Sequence, residues 1–163
     1  MKPSESPETS RNRRIGWLAL LLVFALAVAA FYLQQRRNQA EHAILEKADR
    51  EMSTGLHGDC EAYLRGQRLY LEAMRFHLQD KKLAMKATIS GELAQLCRAP
   101  RPEAIASRNA LLASGQFQFA DVRALTIAYL ASSDRDKALK TLGVLPNDPF
   151  CRWFTQWIGQ WPH

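Results

Sequence analysis

The feature that most limits how this chain can fold is a run of 19 residues without a charge, IGWLALLLVFALAVAAFYL, from Ile15 to Leu33. As a helix rising about 1.5 Å per residue it covers roughly 28 Å, close to the hydrocarbon thickness of a bilayer. Trp17 near one end, and Phe31 with Tyr32 near the other, match the aromatic belts that settle at the two headgroup levels. A cleaved signal peptide is the competing reading, because Arg11, Arg13 and Arg14 form a basic leader and Ala27 to Ala29 reads AVA. The apolar run continues past that site and stops only before Arg36 and Arg37, so a retained transmembrane helix over 15–33 is expected.

The charge distribution follows the same segment. The chain carries a formal +6, and residues 1–40 hold six Lys/Arg against two Glu, leaving 16 against 14 for the remainder. A nucleic-acid binder gathers its cations on the folded domain, so this pattern points to a membrane boundary and away from nucleic acid. The positive-inside bias across the segment is slight, with three arginines before it and two after. A short polar tail, residues 1–14, is easily left in the cytoplasm, and all three cysteines lie downstream, where an oxidising compartment suits them. The expected location is a bacterial inner membrane, crossed once, with the C-terminal domain in the periplasm.

Beyond the span, residues 34–58 read as a helical stalk and break: QQRRNQAEHAILEKADREM lacks Pro and Gly, and two glycines in STGLHGD interrupt it. Its apolar content is too thin for a coiled-coil seam. Residues 59–163 then read as one all-α domain of short antiparallel helices. Asp59 is expected to cap a long helix to about Gln79, followed by a second to Cys97. Pro102 opens the next and Gly115 closes it, while Asp121, Asp134 and Asp148 are the expected caps of the last three.

Within that domain, Tyr129, Ala138, Leu142, Leu145 and the Asp148-Pro149 pair fall at the packing positions of a tetratricopeptide repeat, and residues 127–149 resemble one partial repeat of that family. The resemblance covers about one repeat. It implies a helix-hairpin interaction fold and brings no catalytic residues.

The chain closes with CRWFTQWIGQWPH. On a helix, Phe150, Trp153, Phe154, Trp157 and Trp161 share a narrow face, with Arg152, Thr155, Gln156 and Gln160 opposite. Such a stripe either completes the core of a small domain or docks a partner through Trp153, Trp157 and Trp161. Trp161, nearest the end, is expected to tolerate substitution best. A second candidate surface is the strip Arg68, Arg75, Lys82 and Lys86, provided one helix continues unbroken to Lys86. That strip reads as a solvated face or as a contact for an acidic partner or lipid headgroups.

Cys60 and Cys97 lie symmetrically about residues 78 and 79, so a hairpin over 59–97 brings them together at its open end. They are the candidate disulfide, with Cys151 left reduced. The cysteine spacings do not suit zinc, and no phosphate loop or dinucleotide fingerprint is visible, so neither cofactor nor metal is expected. The expected role is binding: an accessory or assembly subunit of an envelope complex for secretion, pilus formation or lysis, with a protein partner in the envelope and a second copy of the chain as a further candidate. The alternatives are a cell-wall hydrolase, which would need a deep pocket lined by Glu51, His57 and Asp59, and an envelope-tethered inhibitor.

Overall fold

A computed structural model describes the backbone of residues 7–162 and the side chains of residues 17–162. The start of the polar tail (1–6), His163, and the side chains of Arg11, Arg13 and Arg14 lie outside the described residues. Among the described residues there are seven helices and no strand: α1 (Pro7–Leu56), α2 (Cys60–Ala73), α3 (Lys81–Arg98), α4 (Pro102–Ser114), α5 (Phe119–Ala131), α6 (Arg135–Leu142) and α7 (Pro149–Gly159). The chain is all-α. Two compact units divide it, one ending at Ala40 and the other beginning at Glu41.

The first unit is helix alone. Every described side chain from Trp17 to Gln39 is exposed, including Phe24, Leu26 and Leu33. A helix apolar on all sides has no polar face to offer water, and by length and composition this one can cross a membrane. Where the apolar run ends, Arg36 lies 5.0 Å from the centre of the Tyr32 ring and Gln34 Nε2 donates to Asn38 Oδ1 at 3.1 Å.

The second unit begins earlier than the sequence suggests. The segment read as a stalk contributes Ala48, Met52 and Leu56 to the core, with Ile44 and Leu45 packed against it. These positions recur every three to four residues and form one stripe, while Glu46, Lys47 and Arg50 face outward. A single stripe is too little for a coiled coil, but it is enough to lay one helix against others.

The turn between α1 and α2 needs its glycines. Gly58 has φ +97°, a left-handed conformation that side chains resist, and at Gly55 an added Cβ would stand 2.4 Å from the Tyr63 ring. Asp59 then caps α2 by accepting from the amides of Glu61 and Ala62. Contrary to expectation, α2 stops at Ala73 and not near Gln79. Asp80 accepts from the amides of Lys82 and Leu83 and so starts α3 afresh, which competes with continuation of α2. The strip Arg68, Arg75, Lys82 and Lys86 is therefore divided between two helices and the turn joining them.

Pro102, Gly115, Asp134 and Asp148 act as the sequence indicated. Asp121 does not. Helix α5 opens at Phe119, and the Asp121 carboxylate reaches back one turn to accept from the Gln118 amide at 2.9 Å, the reciprocal half of a capping box.

The core is built on aromatic rings. Trp157, Trp161, Tyr63, Tyr70 and Phe154 are among its largest fully buried side chains. A run of ring contacts passes from Phe119 through Phe150, Phe154 and Trp157 to Trp161, with neighbouring centroids 5.2 to 5.5 Å apart. Trp161 is 1% exposed, and Ser53 Oγ donates to the carbonyl of Pro162, so the C-terminus is tied to α1 and does not fray there.

Candidate functional site

Two places in the second unit concentrate polar chemistry. The first lies under the closing helix. Asp49 from α1, Tyr70 from α2, Lys86 from α3 and Trp157 from α7 meet around one carboxylate oxygen. Tyr70 Oη donates to Asp49 Oδ1 at 2.5 Å, Trp157 Nε1 donates to the same oxygen at 3.1 Å, and Lys86 Nζ stands 3.6 Å from it. Lys86 Nζ also lies 5.2 and 5.3 Å from the centres of the Tyr70 and Trp157 rings, within reach of a cation–π attraction.

Burial of the Lys86 ammonium lowers its pKa, and Asp49 opposes that shift. Burial, followed by the neighbouring Asp49 charge, holds the Tyr70 phenol protonated far above its ordinary range. With the Lys86 and Asp49 side chains only 13% and 17% exposed, this is a satisfied internal junction that joins four helices. Trp157 and Trp161, candidates for a partner surface, instead lie in the core at 1% exposure each, and only the half-buried Trp153 reaches the surface. Lys86 likewise points inward, while Arg68, Arg75 and Lys82 remain exposed. Sequence reasoning missed Asp49 because it was assigned to a solvated stalk. Its one available signal was that it sits next to Ala48 on the stripe that Met52 and Leu56 extend.

The second place is a groove of about 620 Å³ between α3, α4 and α5. Leu96, Leu125, Ile127 and Ile105 give it an apolar floor and wall, and Arg98, Arg101, Arg108 and Arg123 stand around it. Three of these arginines are matched by carboxylates. Arg123 Nη2 donates to Glu92 Oε1 at 2.7 Å, Arg98 pairs with Glu61, and Arg108 Nε is 4.0 Å from Asp121. Arg101 is exposed at the start of α4, which has no side-chain cap.

Of the three carboxylates, Glu92 lines the groove beside the four arginines, while Glu61 and Asp121 reach Arg98 and Arg108 from outside the lining. No residue of α4 is fully buried, so this wall of the groove is the least covered helix of the unit.

The residues considered for catalysis are arranged otherwise. Arg65 donates to Glu51 Oε2 through Nε and to Asp59 Oδ2 through Nη2, both at 2.8 Å, and this pairing lowers the Asp59 pKa. These carboxylates clamp the α1–α2 turn. None of Glu51, His57 and Asp59 lines the groove. Among the described residues no group of three or more His, Cys, Asp or Glu side chains could hold a metal ion.

Cys60 and Cys97 stand at disulfide-bonding distance with their Cα atoms 5.5 Å apart, and Cys151 is a buried free thiol whose pKa burial pushes up to about 11. The residues that resemble a tetratricopeptide repeat fall on the end of α5, on α6, in the connection that holds Leu145 and Asp148, and at the start of α7. Compared with family models, curated proteins and solved structures, the chain matches none.

Proposed function

We propose that this chain is a single-pass protein of a bacterial inner membrane whose helical unit stands in the periplasm and recruits another envelope protein, as an accessory or assembly subunit of a larger complex. The role is binding and not catalysis. The observation that carries the reading is the groove between α3, α4 and α5, with its apolar floor, its rim of four arginines and a wall helix that buries no residue fully. A partner segment laid along it would cover Ile105 and Leu96 and complete the packing of α4. The helix apolar enough to cross a bilayer supports the membrane location. The Cys60–Cys97 pair supports an oxidising compartment for the unit that carries it.

The test is site-specific photocrosslinking in living cells of the source bacterium. The full chain would carry a photoreactive residue in place of Ile105, within the groove, or in place of Lys140, exposed on α6. A discrete adduct with one envelope protein from position 105, and none from 140, is the expected outcome. Absence of an adduct at 105, or the same adducts from both positions, would remove the groove as the recruiting surface.

A further inference from the structure

The face that α4 turns to the groove has a simple composition. Arg101, Ala104, Ile105 and Arg108 all line it, and steps of three, four and seven residues from Arg101 place them on one side of the helix. The apolar pair therefore stands between two arginines about 10 Å apart along the axis. Leu96 from α3, with Leu125 and Ile127 from α5, continues the apolar lining.

These two arginines are also the ones least engaged within the chain. Arg123 donates to Glu92 at 2.7 Å, and Arg98 is held by Glu61. Arg101 is exposed, and among the described residues its side chain makes no ion pair. Arg108 Nε is buried without a hydrogen bond, 4.0 Å from an Asp121 carboxylate whose other oxygen accepts from the Gln118 amide. Its Nη1 reaches the Ala104 carbonyl only at 3.4 Å. Glu103, the acid in the first turn of α4, is exposed and lies outside the lining. Arginine donors without close acceptors gain most from an arriving carboxylate.

We infer that the groove selects an acidic amphipathic segment of its protein partner, one that sets two carboxylates about 10 Å apart on either side of a small apolar cluster. The pattern Glu-x-x-Leu-Leu-x-x-Glu on a helix has that spacing: its ends meet Arg101 and Arg108, and its leucines cover Ile105 and Leu96. The inference rests on the reading of the groove as the recruiting surface. A polyphosphate would find Ala104 and Ile105, and no cation, between the two ends of the α4 face. A fatty acid has one carboxylate for two arginines. A polypeptide segment supplies both anions and the apolar middle.

Fluorescence anisotropy of labelled helical peptides tests this on the full chain in nanodiscs of zwitterionic lipid, with empty discs as the baseline. A peptide carrying Glu-x-x-Leu-Leu-x-x-Glu should bind about tenfold more tightly than the same peptide with both Glu changed to Gln. Arg101→Ala and Arg108→Ala should each remove most of that preference, and Arg101→Lys should keep most of it. The Gln peptide retains the apolar contact, so its unchanged binding to the Ala variants reports that the groove is still folded. Equal binding of the Glu and Gln peptides, or binding of neither, overturns the inference, as does dodecanoate that binds as tightly as the Glu peptide and displaces it. The recruiting role is judged separately by the crosslink at position 105: an adduct there leaves that reading standing when the peptides fail, and its absence removes both.

Discussion

The indole nitrogen of Trp157 donates to the carboxylate of Asp49 at 3.1 Å, across 108 residues of sequence. This one bond joins the closing helix to the stretch of α1 that follows the apolar run. It also accounts for the aromatic surface of α7: its rings cover a polar junction built from α1, α2 and α3. Replacing Trp157 by Ala should cost about 3 to 5 kcal/mol, because it leaves a cavity and removes one donor from a buried carboxylate. Trp157→Phe keeps most of the volume and should cost about 1 to 2 kcal/mol. Urea unfolding in mild detergent separates the two.

Trp161 should prove sensitive as well. It is as buried as Trp157, and Trp161→Ala should lower stability by at least about 2 kcal/mol, well above the effect expected at a fraying terminus. Ser53→Ala, which removes the hydroxyl that donates to Pro162, should give a smaller loss of about 1 kcal/mol. Unfolding midpoints of the two variants, measured together, check the order.

The cysteines give a chemical count. In the folded chain without reductant, no thiol should alkylate quickly, since Cys60 and Cys97 are paired and the buried Cys151 thiol has its pKa raised to about 11. Denaturation should expose one thiol, and denaturation with reductant three. Closing a loop with a sequence separation of 37 stabilises the fold by about 3 to 4 kcal/mol in the chain-entropy model, so the Cys60→Ser, Cys97→Ser double variant should unfold at correspondingly lower urea. Rapid labelling of three thiols in the untreated protein would contradict the pairing.

Alkaline pH should unfold the second unit. Burial raises the phenol pKa values of Tyr63 and Tyr70 above the ordinary value of 10.0. Above about pH 10 the unfolded chain therefore releases two protons that the folded one retains, and stability falls by up to about 1.4 kcal/mol per pH unit for each tyrosine. Lys86 acts in the opposite sense: its lowered pKa means the folded state loses its proton first, so its contribution rises with pH up to about 10.5 and then levels off. Tyr63→Phe loses the hydrogen bond to the Leu130 carbonyl and about 1 kcal/mol at neutral pH, yet it should reduce the alkaline slope by one proton. Stability measured from pH 8 to 11.5 for both proteins tests the sign.

Much of this architecture is readable from local signals. The uncharged run, the aspartates before helices, Pro102, Gly115 and Pro149 each act through neighbours within a few residues, so their effect is visible in the sequence. What escaped depends on contacts that sequence spacing does not encode. The role of Asp49 exists only because Tyr70, Lys86 and Trp157 come to it from three other helices. The early end of α2 reflects competition, in which the Asp80 cap and the turns after Ala73 replace a helix that local propensity would allow to continue. The groove was not foreseen, because its floor comes from α3 and α5, which meet only once the chain has folded back twice.

The most direct test of the central claim is extraction of the full chain from the membranes of its host. The account predicts that a chain of full mass stays with the membrane through alkaline carbonate and high salt and is released only by detergent, because the apolar run of α1 from Ile15 to Leu33 is long enough to cross the bilayer. Recovery of a soluble chain starting near Ala30, or release of the intact chain by carbonate, would contradict it.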